Sequence, residues 1–176
     1  KNGKIVVFDY VSFEARIAIF STGDLEFIDQ FKNKDLHDFT SQIILQKENI
    51  TSEERKYGKL FNHTLLYGGG TEKLKSIVKS VKDLNDDEFD LVYDELILKL
   101  SPIIKLSESI IQNQKDDGYI INPYGSIIKP RKDYAAFNNF IQSTAADIVV
   151  EKLFEIKNYI QDKNINFLYQ VYDSFI

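Results

Sequence analysis

Residues 55–70, RKYGKLFNHTLLYGGG, place Arg55, Lys59, His63 and Tyr67 at four-residue intervals and end in three glycines. The glycines invite comparison with a phosphate-cradling loop. Such a loop needs GxxxxGK[ST], whereas Lys73 here follows Gly70 with Thr71 and Glu72 in between. The spacing instead predicts a helix over 52–67, opened by Thr51 or Ser52 as N-cap with glutamates in its first turn and stopped at Gly68. Each step of four residues turns an α-helix by about 400°, so the four side chains form one slowly drifting stripe, two cations followed by two rings. Cations at one end can grip a polyphosphate and rings at the other can stack on a base, as a nucleotide lying along the helix requires. Read alone, the stripe is better explained as a solvated basic end followed by an apolar face packed into the core.

On the N-terminal side, KIVVFD (4–9) is an apolar, β-branched run suited to a buried strand, with Asp9 at its end. SFEARIAIFSTGD (12–24) then has a helical pattern that stops at Gly23, and residues 24–47 carry two more, broken near NKD. On the C-terminal side, residues 71–117 read as helical throughout, with Pro102 at a break or in a first turn. GYIINPYGSIIKP (118–130) has the turn chemistry of a hairpin around Asn-Pro-Tyr-Gly. Residues 132–161 are the longest helical pattern, and NFLYQVYD (166–173) closes as a strand. Few strands and many helices, with the helices of 24–117 inserted after the first strand, make the fold class α+β.

A chain of 176 residues has the size of one domain and can bury a substantial core. No apolar run approaches the roughly 18 residues of a membrane span, so the chain reads as soluble. The lack of cysteine excludes disulfides and thiolate metal sites, and two histidines, His37 and His63, make a zinc site improbable. The formal charge of −5 weighs mildly against a nucleic-acid partner, yet its distribution is uneven. Acidic residues crowd into 83–90, whereas Lys129, Arg131 and Lys132 form a small basic knot. Both ends lie in apolar sequence, so the chain reads as a fragment of a longer protein.

Asp9 and Asp173 are distant in sequence, but each ends a predicted strand, so one sheet can bring both to a single edge. Two carboxylates there could share a pair of Mg²⁺ ions for phosphoryl transfer; singly, a strand-end aspartate is more often a turn or cap residue. On the long C-terminal helix, Asn138, Asn139, Gln142 and Asp147 could read groove acceptors or sugar oxygens, or serve as surface amides and caps.

Taken together, DYVSFEARI, RKYGKLFNHTLLYG, QSTAAD and QVYD, with STGD (21–24) and DLHDFT (35–40), resemble in order and spacing the motifs of family A DNA polymerases, the bacterial DNA polymerase I type. The resemblance covers nearly the whole chain. It implies a palm sheet with a mostly helical fingers insertion: palm at 1–34, fingers at 35–117 with the nucleotide-binding helix at 52–67, and palm again at 118–176. Thumb and exonuclease domains would be absent. It further implies template-directed transfer of a deoxynucleotidyl group from dNTP to a primer 3′-OH, with two Mg²⁺ ions held by the catalytic residues Asp9 and Asp173.

By the same resemblance Glu14 is the steric gate against a ribose 2′-OH, Arg55 and Lys59 meet the triphosphate, and Tyr67 sits near the templating base. His63 takes the place of the usual Phe or Tyr beside the sugar and base. Asn138, Gln142 and Tyr172 would contact template and primer. The usual His-Asp-Glu at 172–174 is here Tyr-Asp-Ser, which leaves two metal carboxylates rather than three, and Tyr134 stands where an arginine is common. The implied partners are primer-template DNA and dNTP, with no membrane. The implied setting is a monomer in the cytoplasm, that of the host if the Lys, Asn and Ile bias reflects a phage. The isolated 176 residues are expected to be inactive. Two alternatives share most of these features: a single-subunit RNA polymerase, which YDSF favours and Glu14 opposes, and a non-catalytic DNA-binding relative.

Overall fold

The computed structural model describes residues 4–81, 84–163 and 165–176. A short strand β1 (Phe8–Asp9) leads into α1 (Phe13–Ser21), and α2 (Leu25–Phe31), α3 (Leu36–Leu45), α4 (Arg55–Leu66), α5 (Thr71–Val81), α6 (Asp86–Lys99) and α7 (Ser101–Asp117) follow. The hairpin β2 (Ile120–Ile121) and β3 (Ile127–Ile128) precedes the long α8 (Ala136–Ile160), and β4 (Gln170–Val171) and β5 (Ser174–Phe175) close the described chain. The α+β class stands: mostly helix, with one two-stranded sheet and one three-stranded sheet of order β1-β5-β4, antiparallel throughout.

Local chemistry accounts for most boundaries. Asp24 caps α2 by accepting from the Phe27 N–H, and Asp35 caps α3 by accepting from His37 and Asp38. Asn85 and Glu88 form a reciprocal capping box that starts α6. The run 71–117, expected to be helical throughout, is therefore three helices. Pro102 lies in the first turn of α7, where its missing N–H costs no hydrogen bond.

Three expectations need correction. KIVVFD does not form a buried strand: only Phe8–Asp9 pairs, and Ile5 to Phe8 are exposed, Phe8 at 65%. A β-branched apolar run is buried only if another element covers it, and none of the described elements does. The helix expected at 52–67 runs from Arg55 to Leu66 because Thr51 and Glu54 close a separate turn ahead of it. Glu54 accepts from the Thr51 backbone and hydroxyl, and the Thr51 hydroxyl accepts from the Glu54 N–H. Thr51 thus does its capping one turn early. Lastly, Asp173 does not end a strand. It lies in a two-residue turn between β4 and β5, and the strand returns at Ser174.

The core is continuous. Phe27 and Phe31 of α2, Ile44 of α3, Phe61 and Leu66 of α4, Val78 of α5 and Leu96 of α6 are all buried, as are Ile103 of α7 and Phe137 and Ile141 of α8. Each contributes roughly 1.5–3 kcal/mol on burial. Only the first half of α8 takes part; Val150, Phe154 and Tyr159 in its second half are exposed. The tightest contact is α3 on α4, where a Cβ at Gly58 would come within 2.0 Å of the His37 carbonyl oxygen and 2.7 Å of the Ser41 backbone nitrogen. Neither atom can move without unwinding α3. Gly58→Ala in the protein carrying this chain is therefore expected to lower unfolding free energy by about 1–3 kcal/mol, measurable by denaturant titration.

Candidate functional site

A cleft of about 1300 Å³ runs between the three-stranded sheet, α1, α4 and α8. Asp9, Glu14, Arg55, Lys59, His63, Tyr67, Gln142, Tyr172 and Asp173 all line it. The register explains the carboxylate pair: Asp9 lies opposite Ser174, the residue after Asp173, so a strand end and a hairpin turn meet at one sheet edge. Tyr172 holds that turn with a left-handed φ of 52°, its carbonyl accepting from the Gln170 amide, and its ring is 88% exposed. Among the described residues neither aspartate has an ion-pair partner.

The stripe on α4 faces this edge and is anchored at both ends. At the first turn, the Arg55 guanidinium donates to Ser12 Oγ at 2.9 Å and Asp35 Oδ2 at 2.8 Å, with Asp38 Oδ1 3.5 Å away. The Ser12 hydroxyl donates to the same Asp35 oxygen at 2.6 Å. Burial acts to raise the Asp35 pKa. Hydrogen bonds from Arg55, Ser12 and the Asp38 N–H outweigh it and hold the carboxyl at about 2. At the last turn, the Tyr67 hydroxyl donates to Glu14 Oε1 at 3.0 Å, and the Gln142 amide donates to both, at 2.5 and 3.0 Å. Glu14 Oε2 is buried and accepts no hydrogen bond. Burial, then Glu14, push the Tyr67 pKa up, against hydrogen bonds from Gln142 and Asn138.

Between these anchors lie Lys59 and His63. Lys59 is exposed and has no ion-pair partner among the described residues, so it is the stripe's available cation. His63 stacks on Tyr67, ring centroids 5.8 Å apart and planes 9° from parallel, and the His37 ring lies 5.8 Å from His63, tilted by 54°. Burial pushes the His63 pKa below its ordinary value, opposed by Glu14 and aided by Lys59. The stripe is thus cation, cation, ring, ring along one cleft wall, and Gly68, at φ 72°, ends the helix by turning the backbone away.

Two singled-out residues lie elsewhere. Asp147 binds the hairpin, accepting from Asn122 at 2.7 Å and from Ser126 at 2.9 Å. Asn139 donates to the Ala135 carbonyl on its own helix. Both are structural, because each has a nearer partner than a groove-bound ligand. Asn138 bonds Tyr67. Periodicity alone missed Ser12, Asp35 and His37, and the available signal was Asp35 as a helix N-cap. It also missed Asn62, whose buried amide donates to the Leu36 carbonyl at 3.2 Å and lies 3.1 Å from His37 Nδ1.

A sheet edge with two carboxylates thus lines the same cleft as a helix of cations and rings. A family profile matches residues 1–176, and the chain belongs to DNA polymerase family A. The DNA polymerase of Mycobacterium phage D29 is 31% identical over 157 residues, 84% of this chain and 24% of the phage protein. DNA polymerase I of Bacillus subtilis (strain 168) is 23% identical over 193 residues, 100% of this chain and 22% of that protein. The POL domain of Pol1 from M. smegmatis, solved in complex with DNA primer-template and dNTP, shares the fold with a TM-score of 0.79 at 22% identity, covering 96% of this chain and 32% of its own. The chain thus spans about a quarter of the length of the phage and B. subtilis polymerases and about a third of the M. smegmatis chain. No helix among the described residues is long and apolar enough to cross a membrane.

The buried His37 generates a pH prediction. Burial, partly offset by Asp35, lowers its pKa from 6.5 to about 4. The unfolded chain therefore takes up this proton first as pH falls. His37 contributes fully above pH 6.5, and its contribution is lost progressively as pH drops towards 4. Between pH 7 and 5 the protein is expected to lose about 2 kcal/mol relative to His37→Asn, measured by denaturant unfolding at each pH.

Proposed function

We propose that this chain is the palm and fingers core of a template-directed DNA polymerase that joins a dNTP to a primer 3′-OH. The convergence of Asp9, Asp173 and the whole α4 stripe on one cleft carries this reading. Residues 1–34 and 118–176 then form the palm, and 35–117 the fingers, with α4 as the nucleotide-binding helix. Primer-template DNA and dNTP are the partners.

The donor set suits Mg²⁺, which keeps several waters and binds through one or two carboxylates plus substrate phosphates. Among the described residues no cluster of three or more acidic, histidine or cysteine side chains competes with this pair. Asp9 and Asp173 would hold the metal. When bound, Mg²⁺ lowers the pKa of an attacking hydroxyl and neutralises charge developing on the phosphate.

The chain's own residues supply position. Lys59 is placed to meet a triphosphate without first breaking an ion pair. Arg55 must loosen its contacts to Asp35 and Asp38 before it can do the same, so its role is to seat the helix as much as to bind phosphate. His63 and Tyr67 offer a stacked pair of rings to a base. Glu14, pinned by Tyr67 and Gln142, is a fixed obstacle on the α1 wall, as a barrier to a 2′-OH must be. The exposed Tyr172 ring beside Asp173 is available to a primer end, and Asn138, one turn before Gln142 on α8, to the template.

Primer extension by the full-length protein tests the reading. Asp9→Ala or Asp173→Ala should abolish extension, by at least about a thousandfold, while gel-shift binding of primer-template persists; unchanged extension would refute the assignment. Lys59→Ala should raise the dNTP KM by roughly tenfold or more, on the scale of one lost charge-assisted contact, and an unaltered dNTP response would remove Lys59 from the site.

A further inference from the structure

The sheet edge holds a polar contact that the functional reading leaves unused. Ser174 lies opposite Asp9 in the β1–β5 register, and its hydroxyl donates to Asp9 Oδ1 at 2.5 Å. The two partners differ in freedom. Ser174 belongs to the central strand, paired with β1 on one side and β4 on the other. The next residue, Phe175, is 5% exposed and packs edge-on against Tyr10 at 6.0 Å, and Tyr10 stacks on Phe13 of α1 at 4.4 Å. Asp9 is at an exposed strand end. A donor fixed to the core therefore reaches an acceptor that is otherwise free to turn.

We propose that Ser174 is a positioning residue for Asp9, holding its carboxylate in the orientation that a divalent cation needs. The inference rests on the polymerase reading for Asp9 as a metal ligand. One hydroxyl occupies one of the roughly four lone-pair sites of a carboxylate and leaves the others to the cation. It also removes the rotamer freedom that binding would otherwise have to quench. A serine does this without charge, whereas a third carboxylate beside Asp9 and Asp173 would add like-charge repulsion in the metal-free state. The departure at position 174 is on this account a substitution of one means of holding the edge for another: orientation by hydrogen bond in place of a third anion.

The experiment uses the full-length protein bound to primer-template without nucleotide and measures Mn²⁺ binding by the EPR signal of free Mn²⁺. It then follows the Mg²⁺ concentration that half-saturates extension. Ser174→Ala is expected to weaken Mn²⁺ binding and raise the Mg²⁺ requirement by about tenfold, the lower end for lost outer-shell partners. Ser174→Thr keeps the hydroxyl on a strand-favouring side chain and should restore both to within about threefold of wild type. Wild-type Mn²⁺ affinity in Ser174→Ala overturns the proposal, and so does equal weakening in the Ala and Thr variants, which would mark a packing effect. Asp9→Ala separates the two claims. If it binds Mn²⁺ and extends primers normally, the polymerase assignment itself falls; if it is inert while Ser174→Ala is normal, only the positioning role falls.

Discussion

The cleft depends on how closely α4 can approach α3. Gly58 lets the His37 carbonyl and the Ser41 backbone come where a methyl group would stand, and Ser41 uses that proximity to accept the Gly58 N–H at 2.8 Å. Seated there, α4 delivers Arg55 to Asp35 at one end and Tyr67 to Glu14 at the other. Both anchors also reach the start of α1, through Ser12 and Glu14. The helix is thus held along its length against two elements, and its exposed stripe has one direction in which to face.

The charges within the cleft are unequal. Arg55 is committed to a half-buried network in which Asp35 stays ionised far into acid. Lys59, one turn on, has no such partner among the described residues. Two cations that look equivalent in sequence therefore differ in what they can offer an anion, because only the first lies within reach of the α3 N-cap. The carboxylates divide in the same way: Asp35, Asp38 and Glu14 are engaged with the protein, while Asp9 and Asp173 face open space and bond nothing cationic. A ligand bringing both metal and phosphate would find both kinds of unpaired group on facing walls.

His63 has both Tyr67 and His37 as ring neighbours. The imidazole here is held towards its neutral form by burial, so it stacks at neutral pH much as an aromatic would. Its neighbour His37 is also held towards its neutral form by burial, and Asn62 lies 3.1 Å from its Nδ1.

Much of this molecule could be read from residue order. Helix periods, Gly23 and Gly68 as stops, the Asn-Pro-Tyr-Gly hairpin and the stripe on α4 follow from local spacing, because a helix or a turn is decided by neighbours within a few residues. The resemblance to the family's motifs likewise singles out Asp9 and Asp173, which the fold brings to one sheet edge. What local spacing could not decide were contacts between distant segments. KIVVFD has strand composition, yet its fate depends on whether anything packs over it. Arg55 reads like Lys59 until α3 brings Asp35 beside it, and Asp147 reads as a free carboxylate until the hairpin folds onto α8. Ser174 reads as a missing acid until strand pairing sets its hydroxyl against Asp9. Sequence determined the elements and the chemical groups available; the tertiary structure decided which of those groups are already satisfied, because hydrogen bonds and ion pairs depend on distances that close only when the chain is folded.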